Sequence, residues 1–229
     1  MKNWWNDILN LIYPAECHLC GHTLGVHERF ICTACMETLP RTGYHRHLRN
    51  PMEERFAGQF PFVAATGHFF YSRDSSLAQL IQDMKYRHFP SIGNKLGELA
   101  GKELYISGFL NDIDVIVPVP MHFIKKARRG YNQTDHICAG IGKAGGLPVV
   151  DALKMTRQRK TQTMLSRTKR LNNAENLFAP RNKTDLNGKG VLLVDDICTT
   201  GATLGSAAKA LTDRYEGLRL YLFALGVTF

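Results

Sequence analysis

Residues 191–204 place several reactive side chains in a short space. The segment reads Val191-Leu192-Leu193-Val194-Asp195-Asp196-Ile197-Cys198-Thr199-Thr200-Gly201-Ala202-Thr203-Leu204. An apolar run ends in two adjacent carboxylates. A loop rich in hydroxyls and glycine follows, and a helical pattern then starts. In an open α/β sheet, ligands bind beyond the carboxyl ends of the strands. A helix start offers unpaired N–H groups and the positive end of its dipole, which suit a phosphate. Gly201 lets the backbone come close to such a ligand in a tight turn. The hydroxyls of Thr199, Thr200 and Thr203 are donors for phosphate oxygens. Asp195 and Asp196 would repel a phosphate they faced. They suit the vicinal hydroxyls of a sugar, or a more distant Mg²⁺, and burying both without a task is costly. Cys198 lies next to the helix start, a place that can lower a thiol pKa, but it reads rather as a variable loop position.

A second constellation is Cys17-x2-Cys20-x11-Cys32-x2-Cys35. Two CxxC knuckles at this separation suit a tetrahedral structural zinc. The segment is too small to bury a core alone, so metal ligation would supply its folding energy. His18, His22 and His27 are alternative ligands, but four thiolates already complete the shell. A closed shell leaves no open position for catalysis. The remaining cysteines, Cys138 and Cys198, are isolated. This usage points to metal ligation in a reducing compartment rather than to disulfides.

The third feature is charge. The chain of 229 residues carries a net charge of +9. Residues 121–183 alone hold fourteen Lys/Arg against three Asp/Glu, a local charge of +11. Such a concentrated field attracts polyanions, whether a polyphosphate metabolite or nucleic acid. The segment opens after Asp114-Val115-Ile116-Val117-Pro118-Val119-Pro120, a short strand ending in a rigid Pro-x-Pro turn, with Lys125, Lys126, Arg128 and Arg129 close behind. These four cations are apt for a diphosphate. A long polar stretch, 157–173, lies between two expected strands and reads as a lid or binding loop. Lys160, Gln162, Arg167 and Arg170 are its candidates for reaching an anion. No general base can be named; His122 stands closest by position.

These groups need elements to hold them. Residues 4–12 read as a short amphipathic helix, with Trp4, Trp5, Ile8, Leu9 and Ile12 on one face. Residues 40–60, rich in Arg, His, Gly and Pro, read as a linker. Residues 61–71 suit a strand or two. Leu77, Leu80, Ile81 and Met84 repeat at helical spacing after a cap at Asp74 or Ser75. Pro90 interrupts this pattern, and a second helix follows through Leu96, Leu99 and Leu104. From residue 112 strands alternate with helices: a strand at 114–117, a helix at 134–143, a strand at 147–153, a strand at 191–194, a helix at 202–214 and a strand at 218–225. Buried apolar strands alternating with helices predict an α/β fold with a parallel sheet covered on both faces. The division expected is 1–60 for the N-terminal helix, cysteine module and linker, and 61–229 for the main domain. No run of 18 apolar residues is present, so a membrane span is not expected. The first residues lack a secretory pattern, so a cytoplasmic protein is expected.

The strand, acid pair and Thr/Gly loop resemble the binding motif of type I phosphoribosyltransferases for phosphoribosyl pyrophosphate (PRPP). Pro118-Val119-Pro120, Arg128-Arg129-Gly130-Tyr131-Asn132-Gln133, Lys160-Thr161-Gln162 with Leu165-Ser166-Arg167, Arg170 and Asn173, and Asp195-Asp196 with Thr199–Thr203 occur in the order found in the ComF family. With the cysteine module, the resemblance covers nearly the whole chain. It implies a type I phosphoribosyltransferase fold with a small zinc-ribbon-like module. It implies that Asp195 and Asp196 hold the ribose hydroxyls and that Thr199, Thr200, Gly201, Ala202 and Thr203 cradle the 5′-phosphate. Val119 and the loop after it would hold pyrophosphate with Mg²⁺. The family also implies a role in natural transformation, with single-stranded DNA and competence-machinery proteins as possible partners, or a PRPP-sensing role without turnover.

Overall fold

A computed structural model of the chain describes residues 15–87, 89–121, 127–156, 177–182 and 184–228. At its centre is a four-stranded parallel sheet. Its strands are β1 (Ala64–Phe70), β2 (Val115–Pro118), β5 (Gly190–Cys198) and β6 (Arg219–Val227), in the order β1-β6-β5-β2. β5 and β6 lie in the middle and are apolar on both faces, because a parallel sheet has helices on each side.

Alternation along the strands splits the core in two. Leu192, Val194, Phe223 and Leu225 pack on one face with α3 (Ser76–Tyr86), α4 (Pro90–Ile106) and α5 (Gln133–Gly145). Val191, Leu193, Leu222 and Ala224 pack on the other with α2 (Pro51–Phe56) and α6 (Ala202–Thr212). A two-stranded antiparallel ribbon joins this second face, formed by β3 (Leu153–Met155) and β4 (Phe178–Pro180). α4 and α5 cross at backbone contact: a Cβ on Gly97 would lie 2.2 Å from the Ile137 carbonyl oxygen, and one on Gly140 would lie 2.3 Å from that of Asn94. Ser75 caps α3 by accepting from the Ala78 N–H, and Pro90 opens α4 rather than merely ending α3.

The cysteine module packs on the α3–α4 side. A short helix, α1 (Thr33–Glu37), lies within it. Cys17, Ile31, Cys32 and Leu39 are buried in the same cluster as Phe69 and Leu77. Both sheet edges are covered. Along β1, the Thr42 N–H donates to the His68 carbonyl and the Phe70 N–H to the Pro40 carbonyl. Along β2, the Ile116 N–H donates to the Pro148 carbonyl and the Val150 N–H to the Ile116 carbonyl.

Three expectations are corrected. Residues 40–60 are not a linker. They contain a 3₁₀ turn (Tyr44–Arg46) and α2, whose Met52 and Phe56 are buried. Each such burial stabilises the fold by roughly 1.5–3 kcal/mol. Asn50 caps α2 and donates to the Ala65 carbonyl at 2.9 Å, which fastens the segment to β1. The strand expected at 147–153 is reduced to one bridge, Val149 with Ile116, and the regular pairing begins only at Leu153. The strand at 191–194 runs on to Cys198, because the long β6 keeps pairing with it. Residues 61–71 hold one strand, β1, within the strand or two expected there. The helix expected at 4–12 lies outside the described residues. No helix among the described residues is long and apolar enough to cross a membrane.

Candidate functional site

The site follows from how β2 and β5 part. After β2 the chain crosses to α5 on one face of the sheet, and after β5 it crosses to α6 on the other. Neighbouring strands whose connections leave on opposite faces open a crevice between them. β2 pairing ends at Pro118 with Val194, and the Val119 N–H makes one further bond to the Val194 carbonyl at 2.8 Å. Beyond that point β5 pairs only with β6, through Ile197 with Gly226 and Cys198 with Val227. Asp195 and Asp196 therefore stand where β5 has lost one neighbour. They border a cavity of about 260 Å³ whose wall also includes Lys85, Arg129, Gln133 and Thr203.

The two acids differ. Asp195 is 7% exposed. Burial first, and then the charge of Asp196, push its carboxyl up to about 8, while the Asp196 N–H and Lys85 oppose the rise. Its Oδ1 accepts from the Asp196 N–H at 2.8 Å. Asp196 has both oxygens engaged, Oδ1 by the Ile197 N–H at 2.7 Å and Oδ2 by Lys85 Nζ at 2.5 Å.

The loop that follows is shaped for an anion. Gly201 sits at φ 81°, in the left-handed region, and starts α6. A Cβ there would also press on the Phe56 ring at 2.9 Å. Arg55 braces the loop from behind, donating to the Cys198 carbonyl at 3.2 Å and the Thr228 carbonyl at 2.7 Å. The Thr228 hydroxyl in turn donates to the Thr199 carbonyl at 3.3 Å. Asp195, Thr199, Thr200, Gly201, Ala202 and Thr203 thus border one shallow cup at the amide end of α6. Burial raises the pKa of the Cys198 thiol, because the side chain lies in the core rather than at the helix start.

Of the expected pyrophosphate residues, Val119 and Arg129 border the cavity. The Val119 N–H is spent on Val194, so that amide is not a free anion donor. Arg128 is exposed and is not among the described residues lining the cavity. Lys125, Lys126, His122, Lys160, Gln162, Arg167 and Arg170 lie outside the described residues. Arg129 donates to Gln133 Oε1 at 3.1 Å and to the Tyr86 hydroxyl at 3.4 Å, and its guanidinium lies 5.1 Å from the Tyr86 ring centroid. The Tyr131 hydroxyl donates to the Met84 carbonyl. Asn132 Nδ2 donates to the Val119 carbonyl at 3.2 Å. The Arg129–Gln133 stretch thus fastens the end of α3 to the loop after β2. Lys85 and Arg55 were not anticipated. A single Lys or Arg on a short helical pattern carries no local signal, and both act on residues more than a hundred positions away.

In the cysteine module the four sulfurs all lie within 4.8 Å of one another. The Cys32 N–H donates to Cys17 Sγ and the Cys35 N–H to Cys32 Sγ, each at 3.4 Å. Contact with Cys20 and Cys32 pushes the Cys35 thiol up to about 12. Four sulfurs this close ionise together only with a cation among them, so the set fits tetrahedral zinc. His18 is not in the cluster of four sulfurs, and its Nδ1 lies 2.7 Å from Asp83 Oδ2 on α3. Among the described residues no other group of three or more His, Cys, Asp or Glu could hold a metal.

Residues 109–216 match the phosphoribosyl transferase domain, and residues 8–46 match the double zinc ribbon domain. The chain is therefore a phosphoribosyltransferase-like protein with an N-terminal zinc module. It is 26% identical to competence protein F of Haemophilus influenzae, over 86% of this chain and 90% of that protein. It is 28% identical to DNA utilization protein YhgH of Escherichia coli K12, over 88% and 92%. Competence protein ComFC of Bacillus subtilis is 28% identical over 48% of this chain and 43% of its own. With these relatives and both domains in one chain, the protein is similar to competence protein F and its relatives along most of its length.

Proposed function

We propose that the protein binds PRPP in the β2/β5 crevice and transfers its phosphoribosyl group to a nucleophile. The observation that carries this is the acid pair standing across one crevice from the open amide end of α6. The spacing suits a sugar with a phosphate on its 5′ carbon: hydroxyls at Asp195 and Asp196, phosphate at Thr199–Thr203. In the reaction the bond from C1 to the pyrophosphate oxygen breaks and a bond from C1 to the nucleophile forms. Charge builds on the departing pyrophosphate and on the sugar ring, and preorganised cations stabilise it. Arg129 is the described cation placed for that end of the ligand. Mg²⁺ carried by the pyrophosphate would supply further charge neutralisation there. The fit is to a metal that arrives on the ligand, since Asp196 is already paired with Lys85.

The test is calorimetry with PRPP and Mg²⁺, followed by pyrophosphate release in a screen of nucleobases and amines. Saturable heat that disappears in Asp195→Asn/Asp196→Asn supports the reading. Absence of heat from the wild type refutes it. Heat without release under any acceptor would mark a PRPP sensor.

A second reading is DNA handling. The names of the relatives favour it, as does the +11 segment. Single strands combine cations with aromatic platforms, and exposed Tyr86 beside Arg129 supplies one. Single-stranded DNA binding with a steep salt slope that survives Asp195→Asn/Asp196→Asn would separate this role from the sugar site. Loss of both would mean one shared anion site.

A further inference from the structure

Lys85 lies before the matched transferase domain in sequence, yet it lines the crevice and its ammonium contacts Asp196. Its position is over-determined. Asp83, two residues earlier, is held by His18 of the zinc module at 2.7 Å. The Met84 carbonyl accepts from the Tyr131 hydroxyl. Tyr86, on the other side, is held by Arg129. Two segments, the zinc module and the Arg129–Gln133 stretch, thus fix the residues flanking Lys85, and of residues 83–86 only Lys85 borders the cavity.

What it meets there is Asp196 Oδ2 at 2.5 Å, with both side chains less than a fifth exposed. A divalent cation seeking the acid pair would have to approach a carboxylate oxygen already carrying an ammonium. Repulsion between the two cations at such a distance, in a half-buried site, opposes it strongly. A sugar hydroxyl meets no such opposition, because it is neutral and a carboxylate oxygen accepts more than one hydrogen bond.

We propose that Lys85 is the built-in counter-cation of the acid pair, reserving it for neutral sugar hydroxyls and keeping free divalent metal off until metal arrives on the pyrophosphate ligand. The sugar half of this statement rests on the PRPP reading. The metal half does not, and it is tested with Mn²⁺ alone.

Mn²⁺ is titrated into the zinc-loaded full chain without PRPP, and free Mn²⁺ is followed by electron paramagnetic resonance. Wild type and Lys85→Arg take up no Mn²⁺ at the acid pair. Lys85→Met gains one site, tighter by roughly tenfold or more. Adding Asp196→Asn to Lys85→Met removes the gain and locates the ion. Lys85→Gln repeats the result if the methionine variant folds poorly, as judged by thermal melting. Three results overturn the proposal: Lys85→Met binding like wild type, a gained site that survives Asp196→Asn, or a wild-type Mn²⁺ site abolished by Asp196→Asn. The wild-type arm decides even if both neutral variants misfold. A protein that refuses PRPP but shows this Mn²⁺ pattern would sink the ligand reading and keep the counter-cation.

Discussion

Replacing Asp195 with Asn is expected to make the ligand-free protein more stable while damaging its site. In the folded chain burial and Asp196 hold the Asp195 carboxyl up at about 8, against an ordinary 3.8. A raised carboxyl favours folding in its protonated form. Its contribution is fully present below pH 4 and is lost as pH rises through about 8. At about 1.4 kcal/mol per pH unit, the span caps the penalty of ionised Asp195 near ~6 kcal/mol. An Asn amide buried in the same place gives part of this back, so a relief of about 2 kcal/mol at pH 8 is the expected size. Asn keeps an oxygen for the Asp196 N–H, so that bond survives. For a chain of this length the relief corresponds to about 4–8 °C in Tm. The assay is thermal unfolding of wild type and Asp195→Asn between pH 6 and 9, without PRPP. The gap in Tm is expected to be much smaller at pH 6 than at pH 8, to widen between them and to level off above. Zinc thiolates and other groups titrate alike in both proteins and cancel. A gap that is flat with pH, or a variant less stable than wild type at pH 8, refutes the assignment of a buried, strained carboxyl.

Gly201→Ala forces a side chain into the left-handed region and against Phe56, so it is expected to cost about 1–3 kcal/mol of stability and to weaken PRPP binding in calorimetry by more than Thr203→Ala does. Arg55→Met leaves two carbonyls of the phosphate loop and β6 end without their donor; a loss of about 1–3 kcal/mol, with roughly tenfold weaker PRPP binding, is expected from melting and calorimetry. Stripping zinc with a chelator, followed by a colorimetric metal assay, is expected to release about one ion per chain and to lower Tm. The cause is that Cys17 and Cys32 are buried in the same core as Phe69. A Tm unmoved by metal release would separate the module from the core.

Features written in contiguous residues were legible in the sequence. The apolar run, acid pair and Thr/Gly loop all fall within fourteen positions, and the structure keeps them together because strand, turn and helix are local. The two CxxC knuckles were legible for the same reason. Apolar spacing found α3, α4 and both central strands. What failed was information carried by distant pairing. β5 outruns its apolar run because β6 continues beside it. Lys85 reaches Asp196, and Arg55 reaches Cys198, only once the sheet has formed. The α2 segment hid behind its composition, although Asn50 before Pro51 is a helix-start signal. Its two buried residues, Met52 and Phe56, make only a single turn of periodicity. Cys198 neighbours a helix start in sequence, yet its side chain faces the core, which only the packed sheet reveals.

The segments along the two sheet edges bear on how copies of this chain meet. An open parallel sheet of four strands would present a row of unpaired amides at each end, a template for aggregation through strand addition. Here Pro40 and Thr42 occupy one border and Pro148 and Val150 the other, and neither proline has an N–H to pass the ladder on. A foreign strand finds no continuous run to extend. Strand addition at these two edges of the four-stranded sheet is thereby discouraged.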